Sequence, residues 1–510
     1  MKILSGPHRR RSEAGVALLI AIFVLLLIGV TAIALILSSG AESALAGNYR
    51  SSASAYYAAF AGIEEARGRL LPSNPDYLGP ALAALGTPLA LGKVIYILNP
   101  NPLTGEIVNP TDLTNPATYP DTEYATEFAG TPYATPTQVQ PVNSVSPVAG
   151  LPVGPLYKWV RINAATEASL KVNVNNQALP LDSTTPLFYD SACNDTPPLN
   201  PGPSLCLNHS ANAVQALEIT ALASLPNGSQ KLLQYIVAPF IPPMNFSGTA
   251  GAPNPSFPSA LTLVGNNVNF TGPTSTSFNV NGTDQTPVGA CAPGPNGVSA
   301  IGYTNGGDSS LSNILEGIGA NGSHYSGAGA VPPNVSKVSG LPPNLQTPSG
   351  LDSLVQSIMQ GADMVINVPP GQTAEETSLP PAMLAGIPET VVVNGNFDIG
   401  SHSTGTGTLV VTGIFSYDTD SSWNGIILVI GQGVVQSNHV GNDNGEINGA
   451  ILVAKTRDSS GNLLSRLGPA SFQPNNPSNG GLGIYYSSCW IKAATRPLTY
   501  KVLSYHQLSQ

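Results

Sequence analysis

From Gly15 to Leu37 the chain reads GVALLIAIFVLLLIGVTAIALIL, 23 positions without a charge. As a helix this stretch spans roughly 34 Å, enough to cross a bilayer. The pattern then turns amphipathic. No proline falls between Ala41 and Leu71, and Ala53, Tyr56, Tyr57, Phe60, Ile63 and Leu70 recur at helical spacing. Glu65 precedes Arg69 by one turn, a supporting pair, and Pro72 ends the pattern. The two halves predict a stalk on the order of 80 Å with a local break near Gly47. Its amphipathic half is expected to dock on a globular domain.

Past Pro72 the helical period disappears. Residues 72–155 are rich in Pro, Thr, Asn and Tyr and predict a long polar segment wrapped on that domain. Tyr157 to Ile162 alternates like a strand. Val214 to Thr220 and Lys231 to Val237 flank Pro226-Asn227-Gly228-Ser229, a hairpin signature. Farther on, Ala260 to Val264 and Ser277 to Val280 read as short strands, and Leu311 to Ile318 as a short helix. A second helix follows Ser349, with Leu351, Leu354, Val355 and Ile358 on one face.

The clearest repeat begins at residue 391. Val391-Val392-Val393-Asn394-Gly395, Leu409-Val410-Val411-Thr412-Gly413 and Ile427-Leu428-Val429-Ile430-Gly431 start 18 residues apart, and Ile451-Leu452-Val453-Ala454-Lys455 follows after 24. A strand and glycine turns in each unit suggest stacked rungs of a short β-solenoid. An evenly spaced β-sandwich is the competing reading. The expected fold class is α+β: a long N-terminal transmembrane and amphipathic helix, then a mostly β exported region that includes a β-solenoid. The expected units are a leader at 1–15, the helix at 16–71 (spanning at 16–37), the polar segment at 72–155, a β-rich domain at 156–245, mixed short elements at 246–385 and the repeat at 386–510.

Composition narrows the function. Only 9% of residues are charged and the net charge is −10. The one Lys/Arg cluster is Arg9, Arg10 and Arg11, so a nucleic-acid partner is not expected. Positive charge before the apolar run holds that end in the cytoplasm and exports the rest. Three kinds of start fit. A secretory signal peptide would be cut after Ala44-Leu45-Ala46, but the run is longer than the usual roughly 7–15 residues. A plain signal anchor would stay uncut. A prepilin-type leader would be cut between Gly15 and Val16, leaving the apolar helix in the mature chain; this is the favoured reading.

The arginine-rich leader, the Gly15-Val16 junction, the apolar run and AGNYR…AYYAAFAGIEEAR resemble the N-terminal domain of PilX-type pilus assembly proteins, which are minor pilins. Secretion pseudopilins of the GspK type share the pattern. The resemblance covers residues 9 to about 70, some 12% of the chain. It implies cleavage by prepilin peptidase after Gly15 and methylation of the new N-terminus at Val16. Major pilins usually carry Glu at the fifth mature position, where this chain has Ile20. That departure argues against a bulk repeating subunit. The implied partners are other pilins or pseudopilins, the inner-membrane assembly machinery, prepilin peptidase and the membrane. The implied location is a single pass through the inner membrane, then a pilus or the cell surface.

Candidate chemistry is sparse, and neither a cofactor nor an enzymatic role is expected. His8, His209, His324, His402, His439 and His506 are dispersed, and HExxH, GxSxG and Walker A motifs are absent from the sequence. A β-helix enzyme acting on carbohydrate would need paired acids; Asp398, Asp418, Asp420, Asp443 and Glu446 read as loop residues without an obvious pair. Asp443-Asn444-Gly445-Glu446 reads as a polar turn and lacks EF-hand spacing. Of the four cysteines, Cys193 and Cys206 bracket a Pro-rich loop and are expected to bond in an exported chain; Cys291 and Cys489 are the remaining pair. The absence of CxxC argues against zinc. The leading function is a minor pilin at a filament tip or priming assembly. A type II secretion pseudopilin, a membrane-anchored adhesin and a tethered carbohydrate-active enzyme are the alternatives.

Overall fold

The computed structural model describes residues 11–508, apart from 73, 102–103, 145–156, 176–179, 191–192, 194, 196–203, 210–212, 243, 248–254, 286–296, 330, 401, 439–443, 476–480 and 496; for 11–15 it describes the backbone alone. One α-helix runs from Arg11 to Arg69, 59 residues or roughly 88 Å. The break expected near Gly47 does not occur. A glycine inside a helix costs only about 1 kcal/mol, which its Ala- and Leu-containing flanks absorb.

The last turns of this helix lie on a six-stranded sheet. Its spatial order is Gln138–Asn143, Lys93–Leu98, Tyr157–Ala164, Leu217–Ser224, Gln230–Phe240 and Thr499–Leu508. The central strands are antiparallel, and Pro226 to Ser229 closes the expected hairpin with Gly228 at φ +84°. Tyr157–Ala164 is buried at every position. The helix covers one face, and the turns and short helices of residues 99–137 cover the other. That second layer corrects the reading of 72–155. The segment contributes Lys93–Leu98, whose Val94, Ile95, Tyr96 and Ile97 are all buried, and an edge strand paired parallel to it. Six residues of strand inside a polar surround are too few to show a period.

After Phe240 the chain leaves this sheet, and it returns at Leu498. The Leu498 N–H donates to the Phe240 carbonyl at 3.0 Å. Between them the chain builds two mainly parallel sheets around one apolar core that extends from Met244 to Leu498. In the 12-stranded sheet, Val391, Leu409, Ile427, Ile451 and Leu261 stand in register on successive strands. In the facing six-stranded sheet the order is Asn269–Phe270, Ser471–Pro474, Val434–Asn438, Ile414–Asp418, Asn396–Ile399 and Thr373–Glu375. The repeat strands are buried on both sides, which explains their unbroken apolar runs. The inner side meets Phe397, Phe415, Val435 and Phe472 of the facing sheet, and the outer side is covered by Pro348–Gly361 and Ser488–Ala494. Strands of the facing sheet alternate buried and half-exposed, with Phe397 and Phe415 stacked at 6.5 Å.

The molecule is thus a long apolar N-terminal helix followed by a large α+β region rich in parallel sheet. Two expected boundaries move. Ser259–Val264 and other strands of 246–385 belong to the same stack as the repeat, and Thr499–Leu508 belongs to the first sheet. Neither is visible as a period, because each pairs with residues far away in sequence.

Candidate functional site: an apolar helix docked on a sheet

The long helix has two surfaces with opposite needs. From Val16 to Leu37 its large apolar side chains are exposed, Leu35 by 72%. Thr31 is the single polar side chain of that run, and its hydroxyl donates to the Leu27 and Ile28 carbonyls at 3.0 and 2.9 Å. This span is long and apolar enough to cross a membrane, and a signal segment passes the same test. Water is a poor solvent for it: each large apolar side chain gains about 1.5–3 kcal/mol on full burial.

The second surface begins at Ala55. Ala55, Ala58, Ala59, Gly62, Ile63, Ala66 and Leu70 are the buried face. The expected stripe holds in part. Ile63 and Leu70 are buried, Tyr56 and Phe60 pack at the margin, and Tyr57 points outward, 69% exposed. The contact is made instead by small residues, which let helix and sheet backbones approach. A Cβ on Gly62 would stand 2.8 Å from Cγ of Tyr157. Polar contacts fix the register. Glu65 pairs with Arg69 at 3.4 Å and accepts from the Tyr157 hydroxyl at 2.6 Å. Arg67 donates to the Tyr500 carbonyl at 3.4 Å, and Asn227 in the hairpin turn donates to Ser51 Oγ at 2.7 Å.

Gly15 and Val16 both fall within the helix, and Val16 is 61% exposed. The leader residues 1–10 lie outside the described residues. Cys193 and Cys206 are joined, with Cα atoms 5.7 Å apart. Asp195 lies beside them, but two bonded sulfurs offer no thiolate to a metal. Cys489 is disulfide-bonded too, and Cys291, its expected partner, lies outside the described residues.

The acids of the repeat differ from expectation in position. Asp398, Asp418 and Glu446 sit in strands, while Asp443 lies outside the described residues. Asp398 accepts from Asn438 at 3.4 Å, Glu446 from Asn448 at 2.8 Å, and Asp420 faces His402 Nδ1 at 3.3 Å. Burial, and then Glu376 and Glu375, raise the Asp398 carboxyl above its ordinary value. His324 and His506 lie on other elements, His209 lies in a loop, and His8 and His439 lie outside the described residues. No family model matches the chain, and no curated protein or solved structure matches it either.

Proposed function

We propose that this chain is a membrane-anchored, pilin-like structural protein that acts as a minor pilin. One observation carries the reading: a single continuous helix is apolar and exposed over its first half and docked through an Ala/Gly face on a mainly antiparallel sheet over its second. Such a helix anchors in the inner membrane, then transfers its apolar half into the helical core of a filament. Both environments remove the same surface from water, at about 25 cal/mol per Å². Prepilin peptidase cuts between Gly15 and Val16, and Val16 is methylated. Ile20 supplies no carboxylate to a neighbour's N-terminal amine, a pairing that would be strong in a dry core. The subunit therefore enters in few copies, at the tip or at initiation. It has no catalytic role.

The inserted region is a short β-solenoid. Parallel pairing at offsets of 18, 18 and 24 residues, with each turn giving a strand to two facing sheets, supports that reading. A head of this bulk suits a terminal position, where nothing must stack above it. In sheared filaments the chain should be far less abundant than a smaller major pilin, and deletion of 16–37 should release a soluble protein that no longer enters them. Quantitative proteomics finding this chain as the dominant filament protein would overturn the minor role.

A further inference from the structure

Behind the first sheet lies an ionic cluster that the helix does not touch. Arg161, at the centre of Tyr157–Ala164, has no exposed side-chain surface. Its Nε donates to Asn163 Oδ1 at 2.9 Å, and Nη1 donates to Asp121 Oδ2 at 2.8 Å. Its Nη2 faces four oxygens: Glu123 Oε2 at 2.8 Å, Thr220 Oγ1 at 3.2 Å, Glu127 Oε2 at 3.5 Å and Glu218 Oε1 in close contact. A guanidinium Nη carries two hydrogens, so it cannot serve them all. The shortfall falls on Glu127 and Glu218. Both Glu127 oxygens and Glu218 Oε2 are buried and accept no hydrogen bond. The Glu127 side chain is 5% exposed and that of Glu218 not at all.

The charge count leads the same way. Four carboxylates, Asp121, Glu123, Glu127 and Glu218, surround one guanidinium. Buried charge without a partner is among the costliest features a fold can carry. Asp121 is already committed. It caps Thr122–Glu127 by accepting from the Tyr124 N–H at 3.1 Å, and it also accepts from the Tyr96 hydroxyl at 2.9 Å. That leaves three carboxylates, each offering an oxygen within 4.8 Å of the other two. Oxygens bound to one calcium ion at about 2.3–2.6 Å lie no more than roughly 5 Å apart.

We propose that Glu123, Glu127 and Glu218 bind one hard divalent cation of the calcium class, clamping the helix Thr122–Glu127 onto the back of the first sheet. The donor set is all oxygen, which selects against zinc and copper. Calcium tolerates irregular coordination and can take carboxylates bidentately, whereas magnesium demands a near-octahedral shell. Glu123 is the exposed member, at 22%, and marks the side from which water completes the shell. A divalent ion removes two of the three excess negative charges.

The test uses the full chain in detergent at pH 7.5, stripped with EDTA and dialysed. Titration with calcium chloride, checked by elemental analysis, should find one tightly held ion per chain. Thermal unfolding should move upward in calcium relative to EDTA, as binding to the folded state requires. Glu127→Gln and Glu218→Gln should each weaken binding at least tenfold, whereas Asp458→Asn, on a distant exposed turn, should leave it unchanged. If the buried variants fail to fold, the wild-type stoichiometry and the partly exposed Glu123→Gln decide. Unchanged melting in calcium and EDTA, no retained ion, or full affinity in Glu127→Gln would each overturn the site. Tighter binding of magnesium than of calcium would overturn the class of ion. Melting that ignores calcium but rises between pH 7.5 and 5.5 would assign the place to protons and reject the cation.

Discussion

Gly62 sets how closely the long helix approaches its sheet. A side chain there meets the Tyr157 ring and Val160 Cγ2 at 3.0 Å or less. Gly62→Leu should therefore cost about 1–3 kcal/mol by overpacking and expose the helix between Ala55 and Leu70 to protease. Gly47→Ala is the control. A Cβ there meets nothing within 4 Å, so it should stabilise by about 0.5–1 kcal/mol through helix propensity alone. Glu106 gives a second prediction at this scale. Burial alone would raise its pKa, but hydrogen bonds from Lys158, Tyr119 and the Asn101 N–H hold it below the ordinary carboxylate value. A depressed carboxylate stabilises fully above its unfolded pKa, and that contribution fades as pH falls through the folded one. Urea midpoints at pH 6 and pH 3.5 should thus differ less in Glu106→Gln than in wild type. At pH 6 the substitution should cost about 1–3 kcal/mol. Sequence showed the Glu65–Arg69 pair, because both ends lie on one helix. It could not show the Arg161 cluster, whose acids at 121, 123, 127 and 218 meet only through the fold.

At the scale of elements, regular repetition was legible and long-range pairing was not. The strands at 391, 409, 427 and 451 announced themselves by period, since parallel stacking repeats the same surroundings at each step. Asn424 and Asn448, at matching offsets, stack with an amide hydrogen bond of 3.3 Å. The glycines beside them lie inside these strands, where neighbouring backbones come close. Gly425 has φ +133° and Gly449 φ +145°, and a Cβ on Gly449 would lie 1.8 Å from the Gly425 carbonyl oxygen. Gly449→Ala should therefore push two paired strands apart and cost about 2–4 kcal/mol, read as a lowered denaturant midpoint. Amphipathic helices were equally plain: Leu351, Leu354, Val355 and Ile358 are buried as expected, though Thr347 caps that helix, two residues before the expected Ser349. The helical stripe at 53–70 holds at Ile63 and Leu70, with Tyr56 and Phe60 at its margin, and fails at Tyr57. Hydrophobicity points to tyrosines, whereas close helix–sheet packing selects alanine and glycine.

At the scale of the whole molecule, the parallel-stranded region is an insertion between neighbouring strands of the helix-bearing sheet. Its entry and exit are one hydrogen bond apart, at Phe240 and Leu498. Replacing residues 241–497 by a short turn should leave a helix-and-sheet protein that still folds and still enters the membrane, checked by membrane fractionation and circular dichroism. The central claim concerns the other end of the chain. The proposed prepilin-type start would keep the exposed apolar helix in the mature protein, and every assembled role proposed for the chain depends on that. The direct measurement is the N-terminal residue of the mature chain, by mass spectrometry after co-expression with prepilin peptidase. The account predicts methylated Val16, with Gly15→Val left uncut because a branched side chain obstructs the cleavage site. A mature chain beginning at Gly47, with the helix lost through Ala46, would contradict it.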